Sequence, residues 1–136
     1  MGKVPAIVDG DFKVWESGAI LVYLANKYGE TPISLEEQSE IVQWVLFANA
    51  TLGLGLFVED RREKETPSLL QPLNEILTNK PFLLGDNFSV ADIAVGSYLA
   101  YAKILVNLEF KDYPAITDYL MRLSERPAFK ETIGNR

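Results

Sequence analysis

The sequence has 136 residues, of which 48% are hydrophobic and 24% are charged. Since a domain takes about 150 residues, this length predicts one globular unit with a core of its own. The chain contains neither cysteine nor histidine, which excludes disulfides, thiolate nucleophiles, imidazole catalysis and metal sites built on either residue. The net charge of −6, from 13 basic and 19 acidic residues, argues against nucleic acid as a partner.

Targeting signals are not evident in the sequence. No apolar run reaches the roughly 18 residues of a membrane-spanning helix. Residues 1–5 (MGKVP) show no apolar stretch of the kind that a secretory signal requires. These two observations predict a cytoplasmic protein with no membrane partner.

The first segment predicts a β-hairpin. Residues 4–8 (VPAIV) are short and rich in β-formers, and residues 12–15 (FKVW) alternate between apolar and polar side chains. Between them, the run Asp9-Gly10-Asp11 is a strong turn signal. Pro5 has no N–H to donate to a strand ladder, so it indicates an edge or a bend.

The rest of the chain predicts helices alone. A first helix should begin with Ser17 as its cap and end at Tyr28, before Gly29. The run from Ser34 to Glu37 has the S-x-x-E pattern of a capping box and predicts a second helix. Further along, Gly53 and Gly55 indicate a kink or a close helix contact.

Three further helices are predicted in the second half. Proline at the first helical position predicts that Thr66-Pro67 opens one helix, which Lys80-Pro81 should end. Ser89 and Asp92 form a second capping box, and it should open a central, buried helix over residues 90–106. Capping explains both residues without any catalytic role. Tyr113-Pro114 should open the last helix, which Pro127 should end.

Three segments of the chain, in order, resemble the glutathione-transferase family. Residues 3–10 (KVPAIVDG) and 16–20 (ESGAI) resemble the second half of that family's N-terminal domain. Residues 81–93 (PFLLGDNFSVADI) resemble the signature of its helical C-terminal domain. The pairs Tyr113-Pro114 and Arg126-Pro127, the latter followed by Ala-Phe, are similar to its terminal helix.

The resemblance implies a mainly α fold in two parts. Residues 1–29 would form a truncated thioredoxin-like β-hairpin plus helix, which is half of a glutathione site. Residues 30–136 would form the all-α C-terminal bundle of glutathione transferases.

The same resemblance implies glutathione as a ligand or co-substrate, held by five residues. Val4, before what would be a cis-proline at Pro5, matches the residue whose backbone pairs with the cysteinyl part of glutathione. Glu16 and Ser17 match the pair that binds the γ-glutamyl end. Their chemistry is suitable, because a carboxylate accepts from the α-ammonium while a hydroxyl and helix N-terminal amides bind the α-carboxylate. Lys3 would be the residue that meets the glycyl carboxylate, and the alternative interpretation of this lysine is a solvated surface charge.

One departure from the family limits what can be carried over. In the family, a strand, a helix and a second strand precede the Val-Pro segment and carry the catalytic Tyr, Ser or Cys. No residue of this sequence matches that position, so we assign no catalytic residue and no metal ligand. Phe47, Leu54 and Tyr98 are loose candidates for the apolar co-substrate pocket, although we favour core positions for the two aromatic residues.

Three functional interpretations follow from this departure. The favoured one is a glutathione-transferase-like protein that is weak or inactive alone, retains partial glutathione binding and acts as a binding or assembly module. The alternative is an active transferase that conjugates glutathione to small electrophiles when a partner chain or the missing N-terminal segment completes it. The third is a piece of a longer transferase. The open edge of the hairpin predicts a homodimer or a protein partner there.

Overall fold

The computed structural model describes residues 2, 4–29 and 32–135. It consists of a two-stranded antiparallel sheet followed by helices, which confirms the mainly α fold. The elements, in chain order, are β1 (Ala6–Asp9), β2 (Phe12–Trp15), α1 (Ser17–Tyr28), α2 (Leu35–Leu46), α3 (Gly53–Phe57), α4 (Glu59–Asn79), α5 (Val90–Val106), α6 (Pro114–Ser124) and α7 (Pro127–Glu131).

The hairpin forms as predicted, around a two-residue loop. Ala6 pairs with Trp15 at the open end, and Asp9 pairs with Phe12 next to the loop. Gly10, the first loop residue, has a φ of 61°, and a glycine there is what a type II′ turn requires. The face that carries Asp9 and Phe12 packs on α1, where the rings of Phe12 and Tyr23 lie 4.9 Å apart. The opposite face carries Val8 and Trp15, which are 66% and 51% exposed.

A single carboxylate fastens the hairpin turn to the end of α1. Asp9 Oδ2 accepts hydrogen bonds from Lys27 Nζ at 2.5 Å, Tyr28 Oη at 2.8 Å and Tyr23 Oη at 3.0 Å. These three donors, with Lys27 first, lower the pKa of Asp9 to about 2. The hairpin therefore has a fixed orientation on the helix, although it belongs to a sheet of only two strands.

The second helix begins at the predicted capping box, and the helical backbone continues beyond α2 to the end of α3. Ser34 Oγ accepts from the Glu37 N–H, and Glu37 Oε2 accepts from the Ser34 N–H. After α2, one π-helical stretch over Phe47–Leu52 leads directly into α3. The predicted close contacts at the glycines are present, because a Cβ on Gly53 would lie 2.6 Å from Tyr98 Cε1 and one on Gly55 would lie 2.3 Å from Leu69 Cδ1.

This continuous helix, Leu35–Phe57, is also long and apolar enough to span a membrane by length and composition. Its apolar stripe has a use within the bundle, because Val45, Ala48, Leu52 and Leu56 are buried in the core. The apolar composition of this helix is therefore accounted for by its position in the core.

The prediction that Thr66-Pro67 opens a helix is wrong. Helix α4 begins at Glu59 and runs through Pro67 and Pro72 to Asn79. Both prolines lie on the exposed side, where water can satisfy the carbonyls that their missing N–H groups leave unpaired. The stripe of Leu70, Leu73 and Leu77 is buried and continues in register across Pro72. Tertiary packing therefore outweighs the local signal for a helix start.

Helix α5 is the centre of the bundle, as its composition predicts. Eight of its residues are buried, namely Ala91, Asp92, Ala94, Val95, Gly96, Leu99, Ala100 and Ala102. The helix contacts α1, α2, α3 and α6. Helix α6 begins at Pro114 as predicted, and Asn74 Oδ1 of α4 accepts from the Ala115 N–H at 3.0 Å. The helix ends before Pro127, which then opens the short α7.

Asp92 is the most heavily bonded polar group of the core. Its Oδ2 accepts from the Ser89 N–H at 2.8 Å and from Ser89 Oγ at 3.1 Å. Its Oδ1 accepts from the Leu83 N–H at 2.9 Å and from Tyr119 Oη at 3.0 Å. Only 1% of Asp92 is exposed. The capping residue therefore also ties the loop before α5 to α6, and burial together with the Asp92 charge raises the pKa of Tyr119.

Replacing Asp92 should test this linkage. We expect Asp92→Asn to lower the free energy of unfolding by about 2–4 kcal/mol, because an amide has one accepting oxygen in place of two and leaves two of the four donors without a partner. The exposed Asp86→Asn change is the matched control and should stay within about 0.5 kcal/mol of the parent. Urea unfolding followed by circular dichroism measures both, and equal stabilities would contradict the linkage.

The Asp9 cluster makes a second prediction, about pH. Because the pKa of Asp9 is lowered in the folded protein to about 2, from the ordinary aspartate value of 3.8, the contribution of Asp9 to stability is complete above about pH 4. It is then lost as the pH falls through 2. Carbon-detected NMR titration of the Asp9 carboxyl should give a pKa near 2. Lys27→Gln should raise that pKa toward the ordinary value, and Lys13→Gln should not. An Asp9 pKa near 4 in the parent protein would contradict the cluster.

Candidate functional site

The hairpin brings four of the five sequence-predicted site residues to one place. Since Ala6 pairs with Trp15, Val4 and Pro5 precede the last pair of the ladder while Glu16 and Ser17 follow it. The two pairs of residues therefore meet at the same end of the hairpin. The Val4–Pro5 peptide bond is cis, as the resemblance implied. Lys3, the fifth residue, lies outside the described residues.

The chain turns sharply at Glu16, between β2 and α1. Glu16 has a φ of 72° and a ψ of 123°, a backbone conformation that is uncommon for a residue other than glycine. Its side chain is exposed. The prediction that Ser17 caps the helix is wrong, since Ser17 is the first helical residue and Glu16 occupies the cap position.

Among the residues that the structure describes, no side chain caps the start of α1. Glu16 makes no capping hydrogen bond, and the first turn contains no acidic residue. The first helix N–H with a backbone partner is that of Ile20, which donates to the Glu16 carbonyl at 2.9 Å. An uncapped N-terminus with free N–H groups and a positive helix dipole favours a carboxylate. The half-buried Ser17 hydroxyl stands at the same position.

A second layer of residues holds this helix start against the bundle. Gly18 is buried, and a Cβ there would lie 2.5 Å from Val45 Cγ1 and 2.8 Å from Asn49 Nδ2. Asn49, in the π-helical stretch, accepts a hydrogen bond from Tyr98 Oη at 3.1 Å. Any larger residue at position 18 would therefore push the site away from α2 and from the stretch that follows it.

Asn49 is a site residue that the sequence analysis missed. A signal was available, because it is a polar residue between Ala48 and Leu52 on an otherwise apolar helix stripe. Such a residue usually has a buried hydrogen-bond partner, although only the fold identifies that partner as Tyr98.

Tyr98 lies near the site but is poorly suited to activate a thiol. Burial and the nearby Glu16 charge raise its pKa, which favours the neutral phenol. Its hydroxyl already donates to Asn49, and its ring packs against Phe57 with centroids 6.0 Å apart. Of the other loose candidates for a co-substrate pocket, Phe47 packs edge-on against Trp44, and Leu54 is 43% exposed.

The described part of the chain contains no recognisable metal-binding site. No group of three or more His, Cys, Asp or Glu residues is arranged there to hold a metal ion. The junction of β2 and α1 has two features that can bind a carboxylate, namely the Ser17 hydroxyl and the N-terminus of α1. The exposed Glu16 carboxylate lies next to them.

Two family models match the chain. The model described as the glutathione S-transferase C-terminal domain matches residues 58–127, and the model described as the N-terminal domain matches residues 1–26. The two matches follow the order in which the sequence resembles that family.

Individual proteins agree with the family models. The chain is 33% identical to the disulfide-bond oxidoreductase YfcG of Escherichia coli, over 93% of this chain and 69% of that protein. It is 32% identical to elongation factor 1-gamma of Danio rerio, over 98% of this chain and 34% of that protein. A glutathione transferase from Burkholderia graminis, crystallised with two glutathione molecules per subunit, superposes with a TM-score of 0.77 at 29% identity.

Coverage of these relatives is partial. The chain spans about a third of the elongation factor and about two thirds of the other two proteins, while nearly all of the chain is matched in each. The matched residues include both the hairpin segment and the helical bundle. This chain belongs to the glutathione S-transferase family.

Proposed function

We propose that the chain recognises glutathione in part, is catalytically weak or inert by itself, and acts as a binding or assembly module. The observation that carries the proposal is the junction of β2 and α1. There Val4 and Pro5 stand beside Glu16, Ser17 and an uncapped helix N-terminus. We further propose a functional division into residues 1–29, which hold the half-site, and residues 30–136, which form the helical part.

The γ-glutamyl end of glutathione carries an ammonium and a carboxylate on one carbon, and the junction offers a partner for each. The exposed Glu16 carboxylate accepts from the ammonium. The Ser17 hydroxyl and the free N–H groups of the first turn of α1 donate to the carboxylate. The two partners are adjacent in the chain, as the two charged groups are adjacent in the ligand.

The cysteinyl part would lie along Val4. This residue is 92% exposed, so its backbone N–H and carbonyl are accessible for pairing with an extended peptide. Val4 precedes the Ala6–Trp15 pair, at the end of the hairpin where Glu16 follows it. Lys3 would meet the glycyl carboxylate.

The proposal of weak or absent catalysis rests on the described residues near this junction, none of which is suited to activate a thiol. Thiolate formation needs a donor whose hydrogen bond is directed at the sulfur. Tyr98 has a raised pKa and donates to Asn49 instead. The similarity to elongation factor 1-gamma, over 98% of this chain and 34% of that protein, supports a role other than catalysis, since that protein is named for elongation and not for glutathione transfer.

The alternative is an active glutathione transferase. The likeness to the Burkholderia graminis enzyme, whose crystals hold glutathione, favours it specifically. In this case a partner chain, or an N-terminal segment joined to this one, would supply the thiol activator beside Val4.

The uncovered sheet is the surface on which a partner would assemble. Both outer edges of the two-stranded sheet are unpaired within the described residues. One face of the sheet is also uncovered, since its residues Val8 and Trp15 are exposed. Such an edge and face are suited to a second copy of the chain or to another protein.

Glutathione titration tests the ligand proposal directly. Trp15 precedes Glu16 and is half exposed, so binding should change its fluorescence in a saturable way at micromolar to low-millimolar glutathione. Glu16→Ala should weaken binding about tenfold or more, because it removes the ammonium partner. Glu40→Ala, an exposed acid on α2, is the matched control and should bind as the parent does.

The ligand proposal would be contradicted if the parent protein showed no response up to about 10 mM glutathione and calorimetry agreed. Such a result would mean a binding free energy weaker than roughly −3 kcal/mol. A companion conjugation assay with a nitroaryl halide should show no acceleration over the uncatalysed reaction. Acceleration by the purified chain would favour the alternative, an active transferase.

Association through the sheet makes a separate prediction. We expect sedimentation to show a dimer of the parent, and Val8→Glu to shift it toward the monomer by placing a charge on the uncovered face. Glutamate there is opposite Lys13, so an opposite-charge pair should preserve the hairpin. Leu105→Glu is the control, because Leu105 on α5 has the same 66% exposure as Val8. A monomeric parent, or equal dimer content in both variants, would contradict assembly through the sheet.

A further inference from the structure

An apolar pocket lies in the bundle, lined by none of the residues of the proposed glutathione half-site. It has a volume of about 320 Å³, and it opens between the N-terminal half of α5 and the segment that joins α6 to α7. Its wall includes Ile93, Gly96 and Ser97 of α5, Leu123 of α6 and Phe129 of α7. This size and apolar character are typical of small-molecule sites.

The pocket walls are held in place by close helix packing. A Cβ on Gly96 would lie 2.3 Å from Leu123 Cδ1, so α5 and α6 approach closely along one side. On the other side the chain leaves α6 and turns at Pro127 into α7, which carries the half-buried Phe129. Ile93 remains 40% exposed. The pocket is therefore an apolar surface between α5, α6 and the short α7, and no part of the described chain covers it.

Arg126 places a positive charge at this pocket. Its guanidinium carbon lies 3.5 Å from the centroid of the Phe88 ring, and both residues line the pocket. Within residues 4–29 and 32–135, the ion pairs found do not include Arg126. The stacking on Phe88 fixes the plane of the guanidinium and leaves its N–H groups without a carboxylate partner.

The one acidic group in the pocket wall does not supply that partner. Asp92 is only 1% exposed, and its two oxygens accept from Leu83, Ser89 and Tyr119. Its charge is therefore directed to the interior, toward the start of α5 and the Tyr119 hydroxyl. The accessible part of the pocket combines apolar walls with one unpaired guanidinium.

We propose that this pocket binds a small amphiphilic carboxylate. The apolar chain of the ligand lies against Ile93, Leu123 and Phe129, and its carboxylate pairs with the Arg126 guanidinium. Arginine binds carboxylates through paired N–H donors, and apolar walls favour a ligand whose remaining surface is hydrocarbon. This proposal is independent of glutathione recognition, since the two sets of residues do not overlap.

The test uses the full chain, labelled with nitrogen-15, titrated with octanoate and with 1-octanol, which has an apolar chain and no charge. Octanoate should cause saturable amide shifts at Ile93, Ser97 and Phe129, with an affinity about fivefold or more above that of octanol. Arg126→Gln should abolish this difference. Arg61→Gln, on the exposed surface of α4, is its matched control and should preserve it.

A second variant tests the apolar wall. Ser97→Leu places a larger side chain in the pocket and should remove binding of both probes. Ser68→Leu is matched to it, because each serine hydroxyl donates to the carbonyl three residues earlier and Ser68 is exposed on α4. No saturable shifts up to about 10 mM octanoate, shifts located at Glu16 and Ser17 instead, or equal binding by the two leucine variants would overturn the proposal.

Discussion

The buried carboxylate of Asp92 is the interaction on which the helical bundle depends. Four donors converge on it, from Ser89 at the start of α5, from the Leu83 backbone and from Tyr119 of α6. A buried carboxylate is costly unless hydrogen bonds compensate its lost hydration. Two of these bonds come from the nearby Ser89, and the other two join Asp92 to the preceding loop at Leu83 and to α6 at Tyr119. The same group therefore determines where α5 begins, where the preceding loop lies and how α6 crosses the central helix.

The N-terminal segment depends on a different kind of constraint. A two-stranded sheet is marginally stable by itself, so its position relies on contacts with α1 and, through α1, with the bundle. Asp9 attaches the turn to the end of α1, and Gly18 allows the start of α1 to approach Val45 and Asn49. Because the proposed glutathione half-site is at the start of α1, the bundle indirectly positions residues that belong to the hairpin.

The two proposed sites use charge in opposite ways. At the start of α1, free N–H groups and the Ser17 hydroxyl stand beside the exposed Glu16 carboxylate, which suits a ligand with both an ammonium and a carboxylate. At the pocket between α5 and α7, one guanidinium stands over apolar walls, which suits a ligand with a single negative end. A module with both sites would bind two chemically different small molecules in separate parts of its fold.

Local signals in the sequence determined much of the fold. The boxes at Ser34 and Ser89 and the proline at Pro114 mark helix starts, because capping depends on residues within three or four positions of each other. The turn at Gly10 and the Val-Pro pair are local in the same sense. The sequence also indicated Glu16 and Ser17 as site residues through their resemblance to the family, and the structure places them together with Val4 and Pro5.

Only the tertiary structure decided the features that join distant parts of the chain. Helix α4 runs through Pro67 because Leu70, Leu73 and Leu77 are buried against the bundle, and this packing outweighs the signal of a proline. Asn49 meets Tyr98 across a separation of 49 residues, and Arg126 meets Phe88 at the apolar pocket. No local pattern specifies such pairs, because they depend on how helices cross rather than on the residues that neighbour each other in sequence.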